Sequence, residues 1–421
     1  MKRDRISSLA IPIFIGVLFG LLIYLILGSL LPLFAGLAPW LVITLRFLFG
    51  AIVALIVGYL VYKRHPAILS IISTLIVIIA GLTIGFIVLL ISNPEHAWPA
   101  FITVLTFGLS TMRNVGDVLL LATPIILTGL SVTFAFKTGL FNIGAAGQFA
   151  FGGFVAIYIG VEFTFLPPWL RIICSILGAA IAGGLWGAIP GLLKAYRNVH
   201  EVITSIMTNY IAMFFLSWLI QNTIFDIGRT TTQLLPDDSN LPTMGFEYIF
   251  REPLGAGFRT SNVNIGIILA VAIAILVYVI LNKTTFGYEL KACGFNKDAA
   301  KYAGINQNKN IVRSMMICGA IAGVGGALNY MNGTGLSMTA MPSLAAEGFE
   351  GIAVAFLGLT NPIGVIFSGI FVSYLQRGGA QLQPHFTAEF VGIIIAVIIY
   401  FCAFVLMVKN NIGKLIFQRK D

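Results

Sequence analysis

DVLLLATPIILTGLSVTFAFKTGLFNIGAAGQFAFGGFVAIYIGVE, residues 117–162, decides the architecture. Two apolar runs, 117–136 and 145–162, flank a short break that contains glycine and asparagine. Each is close to the ~20 residues that an α-helix needs to cross a ~30 Å hydrocarbon core. Lys137 is the one charge between Asp117 and Glu162, so the stretch reads as a membrane hairpin. Similar runs recur at 9–33, 41–61, 67–91, 170–193, 202–221, 263–281, 314–331, 363–375 and 390–408, with a short one at 349–358. The chain is 58% hydrophobic and only 10% charged, whereas a soluble domain carries roughly a quarter charged residues. The expected fold is all-α and polytopic, one bundle of about 10–12 transmembrane helices. Residues 98–109 are apolar but too short to span, and are expected to lie on the membrane surface or re-enter it.

The net charge of +9 does not mark a nucleic-acid protein, because the basic residues cluster between apolar runs. If the N-terminus is cytoplasmic, alternation places Lys2, Arg3 and Arg5, then Lys63 and Arg64, Lys137, Lys194 and Arg197, the segment 283–313 and the Lys-rich tail on that side. Such a bias predicts a multi-pass protein of the bacterial plasma membrane, with both termini cytoplasmic and the lipid bilayer as its first partner. Cys174, Cys318 and Cys402 lie in apolar runs and Cys293 in a basic loop, which supports neither a disulfide framework nor a metal site. The histidines are scattered, without zinc-type spacing. No metal or cofactor is expected in this chain.

Topology suggests a repeat. The runs in 117–221 begin on the outer side and those in 314–421 on the inner side, the arrangement of an inverted repeat with binding near the midplane. Alternating helices can match in this way by chance. The division that follows is 1–116, three additional N-terminal helices; 117–221, the first half of the core; 222–262, an external loop; 263–313, a linking helix and cytoplasmic loop; and 314–421, the second half. The external loop is read either as a docking surface or as a solvated connection.

Four segments could carry function. Phe141, Asn142 and Gln148 belong to a Gly- and amide-rich break whose side chains can satisfy backbone groups freed where a membrane helix is interrupted; a tight turn would use the same residues. Glu201, Thr204, Ser205, Thr208 and Asn209 recur at steps of three and four and share one helical face. In lipid that face must point into the bundle, either for interhelical bonding or for substrate. Glu347 and Glu350 begin a short helix of small residues ending at Gly358, read chiefly as close packing with acids at a helix N-terminus. In the basic loop, Asn296 is a candidate cap for a short amphipathic helix from Asp298 to Tyr302, stopped by Gly304. A surface helix of this kind suits a groove on a partner. No phosphate-binding loop with its Gly-Lys pair in register is present, so ATP hydrolysis must come from another chain.

On these segments the chain resembles the permease family of ABC importers that serves branched-chain amino acids, simple sugars and nucleosides. The likeness runs through Gly129-Leu130, the loop 141–148, Val199-His200-Glu201-Val202-Ile203, Met207-Thr208-Asn209-Tyr210-Ile211-Ala212, and the segment 348–358 with Asn361-Pro362. The Asn-Ile-Gly and Asn-Tyr-Ile-Ala elements look most like the nucleoside branch, although Ala146 and His200 stand where that branch often has Glu and Asn. The resemblance implies a transport subunit rather than an enzyme. It implies an ABC ATPase partner that holds ATP and Mg, a second permease chain, and an extracellular substrate-binding lipoprotein. It assigns Gly294, Asn296, Asp298, Ala299, Ala300, Gly304 and Ile305 to ATPase coupling. Phe141, Asn142, Gln148, Thr204, Asn209 and Glu350 are expected to line or brace the substrate pathway. A simple-sugar permease is the alternative within the family. An ion-coupled secondary transporter is the alternative outside it, although the acids cluster at span ends. A membrane enzyme would need a nucleophile, base and orienter set that the sequence lacks.

Overall fold

The computed structural model describes residues 66–254 and 257–382, together with 386, 387, 392, 393, 396, 397, 400, 404 and 407. Residues 84–403 form one compact unit; the other, 1–83 with 404–421, lies mostly outside the described residues, as do the expected spans 9–33 and 41–61 and most of 390–408.

The elements follow the hydropathy. Helix α1 (Pro66–Ser92) is followed by α2 (Pro94–Thr106), α3 (Met112–Lys137), α4 (Ala145–Glu162), α5 (Pro168–Arg197) and α6 (Glu201–Asn222). An intervening segment holds β1 (Phe225–Asp226), β2 (Thr231–Thr232), α7 (Phe246–Ile249), β3 (Arg251–Leu254) and β4 (Gly257–Thr260). Then come α8 (Gly266–Lys283), α9 (Thr285–Phe295), α10 (Lys297–Tyr302), α11 (Gln307–Tyr330), α12 (Ala346–Leu357) and α13 (Pro362–Ala380). Among the described residues, six helices (α3, α4, α5, α6, α8 and α11) are long and apolar enough to cross a membrane.

Several spans begin earlier than hydropathy places them. Helix α3 starts at Met112 because Thr111 Oγ1 accepts from Asn114 N at 3.2 Å, and its polar first turns are paired. Asp117 meets Arg377 at 2.7 Å and Arg113 at 3.7 Å, while Ser261 Oγ donates to Asp117 Oδ1 at 2.6 Å. Helix α11 starts at Gln307, capped by Asn306, whose Oδ1 accepts from Lys309 N at 3.1 Å. Helix α8 starts later, at Gly266, since the Asn264 side chain accepts from Gly266 N at 2.9 Å and ends the preceding turn.

Small residues set the helix crossings. Ala179, Gly183 and Gly187 line one face of α5 and meet Met315, Gly319 and Gly323 of α11 backbone to backbone. A Cβ on Gly319 would stand 2.2 Å from Gly183 O, and one on Gly152 of α4 would stand 2.3 Å from Gly323 Cα. Close approach of this kind replaces the hydrophobic effect, which lipid does not provide, with dispersion. The opposite face of α5, with Ile173, Leu177, Ile181 and Leu185, is exposed. Phe151 of α4 stacks on Trp186 of α5 at 3.9 Å, and Phe215 and Trp218 of α6 extend the ring series.

Helix α3 is buried on every side from Ala122 to Ala135, as expected of a helix at the bundle centre. It packs on α12 and α13, α11 packs on α4 and α5, and α3 and α11 pack on each other. Helix α2, the segment expected to lie on the surface or re-enter, buries Ala97, Ala100 and Val104. Gly378 of α13 lets the Val104 backbone approach, and the Tyr374 hydroxyl donates to Leu105 O.

The segment 222–262 is folded. Its strands form two antiparallel pairs, β1 with β2 and β3 with β4, and Asp238 pairs with the buried Arg171 at the start of α5.

Candidate functional site

Between α3 and α4 the chain leaves helical geometry for residues 138–144, and the buried side chains there form a closed amide network. Asn142 Nδ2 donates to Gln148 Oε1 at 2.7 Å and to Ser131 Oγ at 3.1 Å, and Gln148 Nε2 returns a bond to Asn142 Oδ1 at 3.1 Å. Asn209 reaches in from α6: its Oδ1 accepts from Gly147 N at 2.9 Å and its Nδ2 donates to Ile143 O at 3.0 Å. Helix α4 begins after Gly144, which has no side chain to cap it, so Asn209 supplies the cap from another helix. A freed backbone group inside a bundle must find such a partner. Asn209→Ala would leave the buried Gly147 N–H unpaired, at about 1–3 kcal/mol, and the part-buried Ile143 carbonyl at a smaller cost. Thermal unfolding in detergent should show that loss, and Asn209→Asp, which keeps the acceptor, should recover part of it.

The other expected pathway residues lie around this network without joining it. Thr204 is buried but bonds its own helix, donating to Glu201 O at 3.0 Å and His200 O at 3.3 Å. Ser205, one residue on, faces the loop near Gly144. Phe141 is half-buried and packs on Val132, Ala145, Ala322 and Ala355, its ring 6.2 Å from that of Phe356. Glu350 accepts from Gln376 Nε2 at 2.7 Å, joining α12 to α13. Glu201 caps nothing itself: His200 is the N-cap, its Nδ1 accepting from Val202 N at 3.3 Å, while Glu201 pairs with Lys194 of α5 at 2.8 Å.

The glycines of 348–351 make contacts that no sequence spacing announces. A Cβ on Gly348 would stand 2.3 Å from Ala146 Cα, and one on Gly351 2.6 Å from the Thr128 carbonyl carbon. Helix α12 therefore presses directly on the start of α4 and the middle of α3.

A second level lies farther along the same elements. A cavity of about 50 Å³ is lined by Ala150 of α4, Met213 and Ser217 of α6, Tyr330 at the end of α11, and Met338, Met341, Ser343 and Ala345 ahead of α12. Ser217 continues the buried α6 stripe of Thr204, Thr208 and Asn209, and that periodicity is the signal in the sequence that could have found it.

At the other end of the bundle, Asn296 Oδ1 accepts from Asp298 N and Ala299 N, both at 3.0 Å, and caps α10. The helix stops in a Schellman arrangement, Ile305 N donating to Ala300 O and Gly304 N to Lys301 O, each at 3.0 Å, with Gly304 at φ +79°. Ala300 is buried, whereas Phe295 and Tyr302 on either side are 91% and 94% exposed, so the hairpin presents apolar rings outward. Burial pushes the Cys293 thiol up, and Asn310 of α11 donates to Glu289 Oε2 at 3.2 Å behind it. Gly294 lies against the loop of the amide network: its Cβ would stand 2.8 Å from Gly139 N and from the Thr138 carbonyl carbon. Ser314 and Thr138 share a hydrogen bond of 2.6 Å beside this contact.

Comparison with known proteins identifies a family. The family described as branched-chain amino acid transport system / permease component matches residues 114–403. The chain is 37% identical to the guanosine ABC transporter permease protein NupP of Bacillus subtilis, over 81% of this chain and 95% of that one. It is 31% identical to the glucose ABC transporter permease protein TsgB13 of Haloferax volcanii, over 80% and 88%. It is 28% identical to a second Bacillus subtilis guanosine permease protein, NupQ, over 61% and 79%. No solved structure matches. The chain belongs to the branched-chain amino acid transport system permease family, and is a multi-pass membrane transport component.

Proposed function

We propose that the chain is a permease subunit of an ATP-driven importer of nucleosides, with 117–221 and 314–421 as the two halves of its core and the segment 283–313 on the cytoplasmic side. The observation that carries this reading is the capped and stopped helix α10, whose hairpin joins the amide-braced loop 138–144 through the Gly294–Gly139 contact. A separate ATPase that grips this hairpin would move the loop, and with it the start of α4. Asn142, Gln148 and Asn209 would hold that loop in each of two positions while Phe141, Thr204 and Glu350 border the path. Substrate would then cross by alternating access, a population shift imposed by the partner.

The two guanosine permease proteins matched in one organism support the nucleoside class and a second, homologous permease chain. ATP and Mg would be held by the ATPase, and a substrate-binding lipoprotein would deliver cargo at the opposite face. The reciprocal packing of α3 on α12 and α13, and of α11 on α4 and α5, supports an inverted repeat. Likeness to a glucose permease is the observation behind the sugar alternative, and one assay separates the two. Uptake of radiolabelled guanosine by the reconstituted complex should be competed by other nucleosides and not by glucose or pentoses. Competition by the sugars alone would reverse the assignment.

A further inference from the structure

We propose that the cavity beside Tyr330 and Ser217 is the outer substrate subsite in its closed form, and that the strand 338–340 is the bolt that keeps it closed. The ligand named here, a nucleoside, rests on the reading above.

Ser217 lies eight residues beyond Asn209 on α6, about 12 Å farther along at ~1.5 Å per residue. Ala150 follows Gln148 on α4, and Ala345 directly precedes α12, whose Gly348 presses on Ala146. The cavity and the amide network are therefore two levels of one column, and the cavity is at the end away from α10. Its volume of about 50 Å³ has room for a few waters, whereas ligand pockets run to roughly 300–1,000 Å³. A substrate cannot sit here until a wall moves.

One wall is built to move. The α4 and α11 walls are tied by backbone-to-backbone glycine contacts such as Gly152 with Gly323 and Gly326 with Phe149, and α6 is held to α4 by Asn209 on Gly147 N. The remaining wall, 338–345, is non-helical and hangs from Gly333 and Gly335, at φ +74° and +72° with open space around both. The strand is held edge-on: Thr232 N donates to Met338 O at 2.9 Å, Ala340 N to Thr230 O at 3.1 Å, Met338 N to Thr232 Oγ1 at 3.1 Å, and Ser217 Oγ to Ala340 O at 2.6 Å. Segment 338–340 thus lies along β2 through a single β-bridge, and β2 belongs to the loop opposite the coupling hairpin. A pull on that loop would draw the bolt.

Chemistry points to the ligand. Tyr330 and the thioethers of Met213, Met338 and Met341 offer apolar, polarisable surfaces that fit a planar base and can repack around it. Among the described residues no protein group bonds the hydroxyls of Tyr330 and the exposed Ser343, and the Ser217 hydroxyl hydrogen is freed when Ala340 leaves, its oxygen still accepting from Gln221 Nε2 at 3.4 Å. Ring faces beside several unspent hydroxyls match a base carrying a polyhydroxyl sugar.

The β-bridge provides the test. Thr231 faces Thr339, and the flanking bonds make them a non-hydrogen-bonded pair, whose Cα atoms stand about 4.5 Å apart, inside the ~4.4–6.8 Å that a disulfide spans. In a complex whose native cysteines are replaced, oxidation of Thr231→Cys with Thr339→Cys should cut guanosine uptake at least tenfold. Reductant should restore it, which shows that the fold is intact, and neither single variant should respond. Separately, guanosine should slow labelling of Ser343→Cys by a membrane-impermeant thiol reagent several-fold. Normal uptake by the crosslinked form, or labelling indifferent to guanosine in a complex that imports it, would overturn the subsite. A parent complex that imports no nucleoside would instead overturn the substrate class, and with it the ligand named here.

Discussion

A chain carrying Gly319→Val is expected to leave the membrane only as aggregate. The added Cβ would stand 2.2 Å from Gly183 O and 2.9 Å from Gly183 C, and these are backbone atoms that no rotamer change can move. Helices α5 and α11 would have to part, opening the junction where Gly152 of α4 meets Gly323. Overpacking that neighbours cannot absorb costs about 3 kcal/mol or more, a large share of the ~5–15 kcal/mol that holds a typical fold. The contrast is Gly184→Ala, whose new methyl would meet Met316 O at 3.2 Å and Ala320 Cβ at 3.6 Å, and which should cost far less because the neighbour need give by only a few tenths of an ångström. Size-exclusion profiles of the two variants in detergent check the prediction, with a monodisperse Gly319→Val peak as the contrary outcome.

Gly294→Val is expected to separate uptake from ATP hydrolysis. Its side chain would push the hairpin off the backbone of Thr138 and Gly139, 2.8 Å away, where Gly139 sits at φ +73° and cannot yield cheaply. The α5–α11 crossing lies elsewhere, so insertion and stability should survive. Displacing the contact by only ~1–2 kcal/mol changes a two-state population by roughly 5- to 30-fold, and transport should fall by a factor of that order while hydrolysis by the partner continues. Gly304→Val acts on the same hairpin by a different route. Nothing lies within 4 Å of its Cβ, so its cost is the left-handed backbone at φ +79° alone, about 1–2 kcal/mol for an L-residue. Paired assays of uptake and phosphate release would show both effects.

Local physics was legible from the residues. Hydropathy located the spans because lipid requires every backbone group to be satisfied within the helix. The three-and-four spacing of Thr204, Ser205, Thr208 and Asn209 identified a buried face, and Asn296 with Gly304 bounded α10. What escaped depends on residues distant in sequence. Nothing near Gly348 announces Ala146, and nothing near Ala340 announces Thr230 or Ser217, because each pairing is created by the fold. The early start of α3 escaped for the same reason: Arg113 and Asn114 look like loop residues until Arg377 is brought beside Asn114 and Asp117. The segment 222–262, with few apolar residues in register, concealed two antiparallel strand pairs.

On this reading the chain moves substrate only when a separate ATPase works on the hairpin around Ala299. The most direct measurement is guanosine uptake by the reconstituted complex, comparing an active ATPase partner with one unable to hydrolyse ATP, each with and without an ionophore. Uptake should require hydrolysis and ignore the ionophore. Uptake that persists with the inactive partner, or that collapses with the ionophore alone, would contradict the account.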